Sequence, residues 1–178
     1  MTINYQLSNS DYLTFQLYTS SKSELHKKRR NLSRILIPVI YVLFGIYLVM
    51  FSRVVTSGYV FIGLSIVWYA LHPFYSRWRY KNHFKKHVEH NYKNRINKPI
   101  SIEFDKDFII SKDFTSESKI SHSELKELIE IDSHFFIALT SDLALIVPKH
   151  VVSDIIAFKK KITDYGADYK DELNWKWK

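Results

Sequence analysis

The sequence predicts an α+β membrane protein: a two-helix transmembrane hairpin with a cytoplasmic β-rich domain of about six or seven short strands closed by a C-terminal helix. Three observations predict it. Residues 35–52 and 54–76 are long runs without Asp, Glu, Lys or Arg, and basic blocks flank them. At Pro99 the apolar spacing changes from helical to alternating. The charge balance changes there as well: residues 1–98 hold 15 Lys/Arg against 3 Asp/Glu, and residues 99–178 hold 11 against 15.

The first segment, 1–34, reads as a cytoplasmic strand and helix. "INYQLS" alternates Ile3, Tyr5 and Leu7, which suits a half-buried strand. "SNSDYLTFQLY" offers Ser8 or Ser10 as a helix N-cap, with Asp11 in the first turn where a carboxylate suits the helix dipole. This helix is expected to run toward the first span, with or without a break. Whether the strand at 3–7 joins the later sheet is open at this point.

The hairpin occupies 35–76, with spans at about 35–52 and 58–76. Eighteen helical residues cover about 27 Å, close to the roughly 30 Å bilayer core. Twelve of those in the first run are Ile, Leu, Val or Phe. Pro38 is expected in the first turn, where a missing N–H costs little. "VVTSG" (54–58) reads as a tight turn. Lys27, Lys28, Arg29, Arg30 and Arg34 lie upstream, and Arg77, Arg79, Lys81, Lys85 and Lys86 downstream, whereas the connection carries only Arg53. The positive-inside rule then puts both termini in the cytoplasm. Trp68, Tyr69, Phe74, Tyr75, Trp78 and Tyr80 form an interfacial aromatic belt, and Gly45 and Gly63 are placed to face each other across a close helix contact. A signal peptide does not fit, because 34 residues precede the run and no A-x-A site follows it. The other reading, a buried helical hairpin of a soluble protein, leaves the matching basic flanks unexplained.

Residues 77–98 read as a basic juxtamembrane helix with Tyr80, Phe84, Val88 and Tyr92 in an apolar stripe. From 99 to 166 the pattern has period two. "ISIEF", "FII", "SESKISHSEL", "KELIEI", "HFFIAL" and "LALIV" follow one another with turn residues between them. "PKHVVSDIIAFKKKITDYG" is a closing helix with Val152, Ile155, Ile156 and Ile162 on its buried face and Gly166 as its stop. Residues 167–178 are left as a tail. Strands followed by one helix resemble a small split barrel plugged by its C-terminal helix, as in pleckstrin-homology-like folds.

The whole arrangement resembles the YcxB-like family of bacterial membrane proteins. The resemblance rests on "SDYLTFQLY", the paired spans, the basic helix, and above all "ELKELIEIDSHFFIALTSDLALIVPKHVVSDIIAFKKKI", where a strand ends in Val147-Pro148-Lys149 before the last helix. His122 in "KISHSEL" departs from it, since members often have an aromatic residue there. The resemblance implies an integral protein of the bacterial inner membrane with a cytoplasmic pleckstrin-homology-like domain, and it brings no assigned reaction.

Candidate sites are few. His83, His87 and His90 share a helix face at i, i+4, i+7, a spacing that suits a transition metal; with Lys85 and Lys86 beside them and no thiolate available, a charged juxtamembrane face is the favoured reading. The ten basic residues flanking the hairpin fit two readings, topogenic charge and attraction to anionic lipid, where each Lys or Arg contributes on the order of 1 kcal/mol. Lys149 is a candidate phosphate ligand if the last helix begins beside it. Trp175 and Trp177 either dip into the interface or belong to a loose tail. The exposed sheet edge offers a strand-addition site.

The chain has no cysteine, which removes disulfides and thiolate chemistry. It has no G-x-S-x-G, H-E-x-x-H or Gly-rich phosphate loop. No catalytic residue, cofactor or metal is assigned, and an enzyme is not expected. The expected partners are the bilayer, a protein of unknown identity or anionic headgroups, with a homo-oligomer left open; nucleic acid is not expected. Two roles follow: an interaction module held at the membrane surface, or an accessory or immunity-type protein acting through helix pairing of its hairpin.

Overall fold

The computed structural model describes residues 1–52 and 54–177 of the chain, so Arg53, expected alone in the hairpin connection, lies outside the described residues. The chain divides into two compact units: one of Met1–Gln16 and Lys85–Lys176, the other of Leu17–Phe84 with Trp177.

The first unit is built on two four-stranded sheets. The first is an antiparallel meander of β1 (Thr2–Gln6), β2 (Pro99–Phe104), β3 (Phe108–Lys112) and β4 (Glu117–Ser121). The N-terminal strand therefore does join the later sheet: Ile3 faces Ile102, and Gln6 faces Pro99. Period-two alternation buries Ile3 and Tyr5 on β1, and Ile102 and Phe104 on β2. The second sheet has the order β7-β6-β5-β8, from β5 (Leu125–Glu130), β6 (His134–Leu139), β7 (Ala144–Pro148) and β8 (Asp168–Asp171). β6 sits between two neighbours and is buried almost throughout, as its unbroken "HFFIAL" requires.

Helix α4 (Ile155–Asp164) closes this unit. It begins seven residues later than the expected closing helix, because the Asp154 side chain caps it by accepting from the Ala157 N–H at 2.9 Å. Counted from that start, Phe158 and Ile162 fall on the buried face. Phe158 meets Phe104 of the first sheet at 5.7 Å between ring centroids and Phe135 of the second at 5.0 Å. The expected face is thus corrected in part: Val152 and Ile162 are buried, but Ile155 lies at the helix entrance and Ile156, two residues from Phe158, is 80 % exposed. Residues 167–178 are not simply a tail. After Gly166, whose φ of +103° ends the helix, Ala167 is buried and β8 pairs in parallel with β5, Leu128 opposite Tyr169.

The second unit is helical. Helix α1 (Asn9–Lys22), whose first part through Gln16 belongs to the sheet unit, ends one residue before α2 (Glu24–Met50), and the Ser23 side chain caps the new helix. The expected run from cytoplasmic helix to span is thus broken at a single residue. Helix α2 begins far upstream of the apolar run, so Pro38 lies in its interior rather than in a first turn and leaves the Arg34 carbonyl without its i+4 donor. Helix α3 (Val55–Asn91) absorbs both the expected "VVTSG" turn and most of the expected separate basic helix. At 37 residues it is about 55 Å long, well beyond a bilayer core.

Helices α2 and α3 run antiparallel, as the contacts Tyr41–Phe61, Phe44–Phe61, Ser33–His72 and Arg30–Tyr80 show. The glycine expectation is corrected by one turn and more. Gly45 packs on Gly58, where a Cβ on either would meet the other's carbonyl oxygen at 2.8 and 2.7 Å; Gly63 has open space around it. Both helices are long and apolar enough to cross a membrane, and only 6 % and 17 % of their most apolar windows are buried in the protein.

Candidate functional site

Among the described residues, charged side chains gather around a cavity in the helical unit and around a buried carboxylate in the sheet unit. In the helical unit, Arg30 and Arg34 are one turn apart on α2 and so share a face. On α3, Tyr69, Pro73, Ser76, Arg77 and Tyr80 recur at i, i+4, i+7, i+8 and i+11, a second shared face. The two faces enclose a cavity of about 120 Å³ lined by Arg30, Arg34, His72, Ser76, Arg77 and Trp177, among others. Aromatic rings hold the guanidinium planes. Arg34 lies 4.3 Å from the Tyr69 ring centroid, and Arg30 lies 5.6 Å from Tyr80 and 5.7 Å from Trp177. The Trp177 indole N–H donates to the Arg77 carbonyl at 3.4 Å. Arg30 Nη1 and Arg34 Nε are closed off from solvent without a hydrogen-bond acceptor. A neighbouring cavity of about 440 Å³ shares His72 and Ser76 and adds Arg29, Arg79, His26 and His83.

The other basic residues are not gathered. Lys27 pairs with Glu24 at 2.7 Å, and Lys85 lies 4.0 Å from Glu89. Lys28, Lys81 and Lys86 are exposed. His83 meets Phe84 edge-on and His87 Nδ1 lies 2.9 Å from Asn91 Nδ2; among the described residues no group of three or more His, Asp or Glu is arranged to hold a metal.

In the sheet unit the charge centre is Glu130, 4 % exposed at the end of β5. Lys149 Nζ and Lys159 Nζ each lie 2.7 Å from one of its carboxylate oxygens, and the Tyr169 hydroxyl donates to it as well. Burial raises the carboxyl pKa, but the bonds from Lys149, Lys159 and Tyr169 outweigh it and hold the group at about 2. The centre joins β5, the turn after β7, α4 and β8. Lys149 is therefore an ion-pair partner rather than a free phosphate ligand, and it stands six residues before the last helix begins. Sequence reasoning missed Glu130, since its partners lie 19, 29 and 39 residues away and no local spacing joins them.

A second buried tie fastens α1 to β6. His134 Nε2 lies 3.0 Å from Asp11 Oδ1, and His134 Nδ1 lies 2.8 Å from Ser133 Oγ. Burial lowers the His134 pKa, with Asp11 opposing it. The neutral imidazole thus donates from Nε2 to Asp11 and accepts from Ser133. Asp11 Oδ2 in turn accepts from the Ser8 backbone N–H at 2.7 Å, so Ser8 rather than Ser10 is the cap. Between the sheets, a cavity of about 280 Å³ has Tyr12, Tyr92, Arg95, Phe114 and Leu143 in its wall, and the Tyr5 hydroxyl spans toward the second sheet by donating to the Ile146 carbonyl at 2.7 Å.

Residues 104–162 match the YcxB-like protein family. The match runs from the last residue of β2 through β3–β7 into α4, and so covers most of the sheet unit. The N-terminal strand and helix, the paired spans and the basic helix, which the resemblance includes, lie outside the match, as does β8. Comparison with curated proteins and with solved structures finds no match. Within the matched segment the departing residue, His122, stacks on Tyr165: the ring centroids lie 3.7 Å apart and the planes are nearly parallel.

Proposed function

We propose that the chain is an integral membrane protein whose α2–α3 hairpin crosses the bilayer twice, with both termini cytoplasmic, and which presents its sheet unit as an interaction module at the membrane surface. One observation carries this reading: the apolar windows of α2 and α3 are 6 % and 17 % buried. A core helix of a soluble protein covers its Leu, Ile, Val and Phe. Here Ile40, Leu43, Phe44, Val60 and Ile66 face outward at 44–67 % exposure, which suits hydrocarbon as solvent. The basic blocks at the open end of the hairpin support the orientation through the positive-inside rule. For the sheet unit, four antiparallel strands, three more, and a helix whose Phe158 lies against both sheets support a pleckstrin-homology-like reading, with β8 as an addition. The module binds a protein partner or anionic headgroups.

A second reading, action through pairing of the hairpin with another membrane helix, is favoured by Gly63, whose open surroundings leave room for a close helix approach.

The absence of cysteine makes the topology directly testable. In intact cells Ser57→Cys is labelled by a membrane-impermeant maleimide, while Ser116→Cys on the sheet unit is labelled only after lysis. Labelling of both from one side, or release of the protein by alkaline carbonate, overturns the membrane reading.

A further inference from the structure

We propose that the cavity at the open end of the hairpin binds the phosphate of an anionic phospholipid, with Arg30, Arg34 and Arg77 as its cationic ligands. The inference rests on the membrane reading above and deepens it by naming the headgroup chemistry. Among the described residues of the helical unit the one Asp or Glu is Glu24, and it pairs with Lys27 at 2.7 Å rather than with these guanidiniums. Topogenic charges need only reach water, as exposed Lys28 and Arg29 do. Arg30 and Arg34 behave differently. Their planes are held against Tyr80, Trp177 and Tyr69, and Arg30 Nη1 and Arg34 Nε are turned away from solvent with no acceptor.

Guanidinium presents a planar fork of N–H donors that matches phosphate oxygens two at a time. Three such cations around about 120 Å³ repel one another until an anion lies between them. The Ser76 hydroxyl, buried in this wall, adds a neutral donor, and buried His72 lies beside it with its Nε2 3.1 Å from Ser33 Oγ. A free phosphate satisfies the same groups. The lipid is favoured because the next residues outward, Ile35 and Phe74, are 56 % and 67 % exposed apolar side chains; acyl chains leaving a bound phosphate meet apolar surface at once. Basic pockets between membrane helices suit such headgroups.

The test is native mass spectrometry of the full chain released from detergent, titrated with phosphatidylglycerol, phosphatidylcholine or inorganic phosphate. One retained phosphatidylglycerol per chain is expected, with affinity lost about ten-fold or more in Arg30→Gln/Arg34→Gln, in line with losing bidentate charged bonds. Arg34→Lys keeps the charge and loses the fork, and is expected to bind more weakly than wild type. Arg77 is exposed, so Arg77→Gln tests the site without threatening the fold, and it is also expected to weaken binding. Lys28→Gln/Lys86→Gln removes equal charge elsewhere and is expected to bind as wild type does. Equal loss in Lys28→Gln/Lys86→Gln, no loss in the arginine variants, equal retention of phosphatidylcholine, or occupancy by inorganic phosphate at the same concentration overturns the proposal. If Ser57→Cys labels from outside while no adduct forms, this inference alone fails; if that labelling fails, the membrane reading fails first.

Discussion

Replacing Glu130 with Gln tests whether the buried carboxylate holds the end of the sheet unit together. A carboxyl shifted from 4.5 to about 2 contributes about 3 kcal/mol at neutral pH, at 1.36 kcal/mol per unit. The variant does not lose all of this. Lys159 is 32 % exposed and can turn its ammonium to water, whereas Lys149, 15 % exposed, is more confined. The expected cost is about 2–3 kcal/mol, within reach of the 3–5 kcal/mol typical of removing one partner of a buried pair. Because two lysines converge on the site, the introduced side-chain amide also faces at least one ammonium donor to donor. The assay is amide hydrogen exchange of the full chain in detergent at pH 7, followed in peptides from β8 and α4. Local opening is expected to rise roughly 30- to 150-fold. The pH dependence has a definite sign: the folded pKa is depressed, so the stabilisation is fully present above about 4.5 and is lost as pH falls toward 2. Wild type should therefore loosen across that window, and Glu130→Gln should not change there on this account. Unaltered exchange of the β8 and α4 peptides in the variant would refute the reasoning.

Gly45→Ala and Gly58→Ala each put a methyl against backbone oxygen, so each should lower the thermal midpoint of the hairpin in detergent at a cost of about 1–3 kcal/mol. Gly63→Ala has room and gains helix propensity, so its midpoint should hold or rise. Phe158→Ala empties a fully buried position touching both sheets and should cost about 3–5 kcal/mol, read as faster exchange in strands of both sheets. Ile156→Ala, on the opposite side of α4, should change little by the same measurement.

The parts of this chain that can be read from sequence are those whose signal is local. A charge-free run declares a possible span, and alternation at Ile3, Tyr5 and Leu7 or Ile100, Ile102 and Phe104 declares a strand. Helix ends are harder, because Lys and Arg are good helix formers and do not stop a helix at a charge boundary. Ser23 sets the start of α2, and α3 continues through Arg77 and Lys85 to Asn91. Gly58 reads as a turn for a related reason: a glycine inside a helix and one in a turn are the same letter, and only the facing Gly45 distinguishes them. The polar "DYKD" of β8 carries little strand propensity and pairs only because α4 returns the chain beside β5. The arginine cavity is partly visible as ten basic residues, but the selection of Arg30, Arg34 and Arg77 needs two helix faces at once.

The pairing of β1 with β2 changes what counts as the sheet domain. Gln6 lies opposite Pro99, so α1, α2 and α3 are an insertion between two neighbouring strands rather than a preceding anchor. A fragment starting at residue 99 therefore leaves the β2 edge open and removes Ile3, Tyr5 and Leu7, which are 4–7 % exposed, together with the Tyr5 bond to Ile146. At about 1.5–3 kcal/mol for each buried side chain the loss is roughly 5–9 kcal/mol, comparable with the whole stability of a typical domain, about 5–15 kcal/mol. Residues 99–178 alone are expected to be unfolded or aggregated by circular dichroism and size-exclusion chromatography. Supplying residues 1–8 on a flexible linker ahead of residue 97 should restore a cooperative melt, because the strand reaches its partner without the hairpin. A well-folded 99–178 fragment with the same exchange protection of β2 as the full chain would show that β1 is dispensable. Folding of the intact chain inherits the same constraint: the long-range pairing of β1 and β2 closes only after the intervening segment has returned, which makes it a late and slow contact.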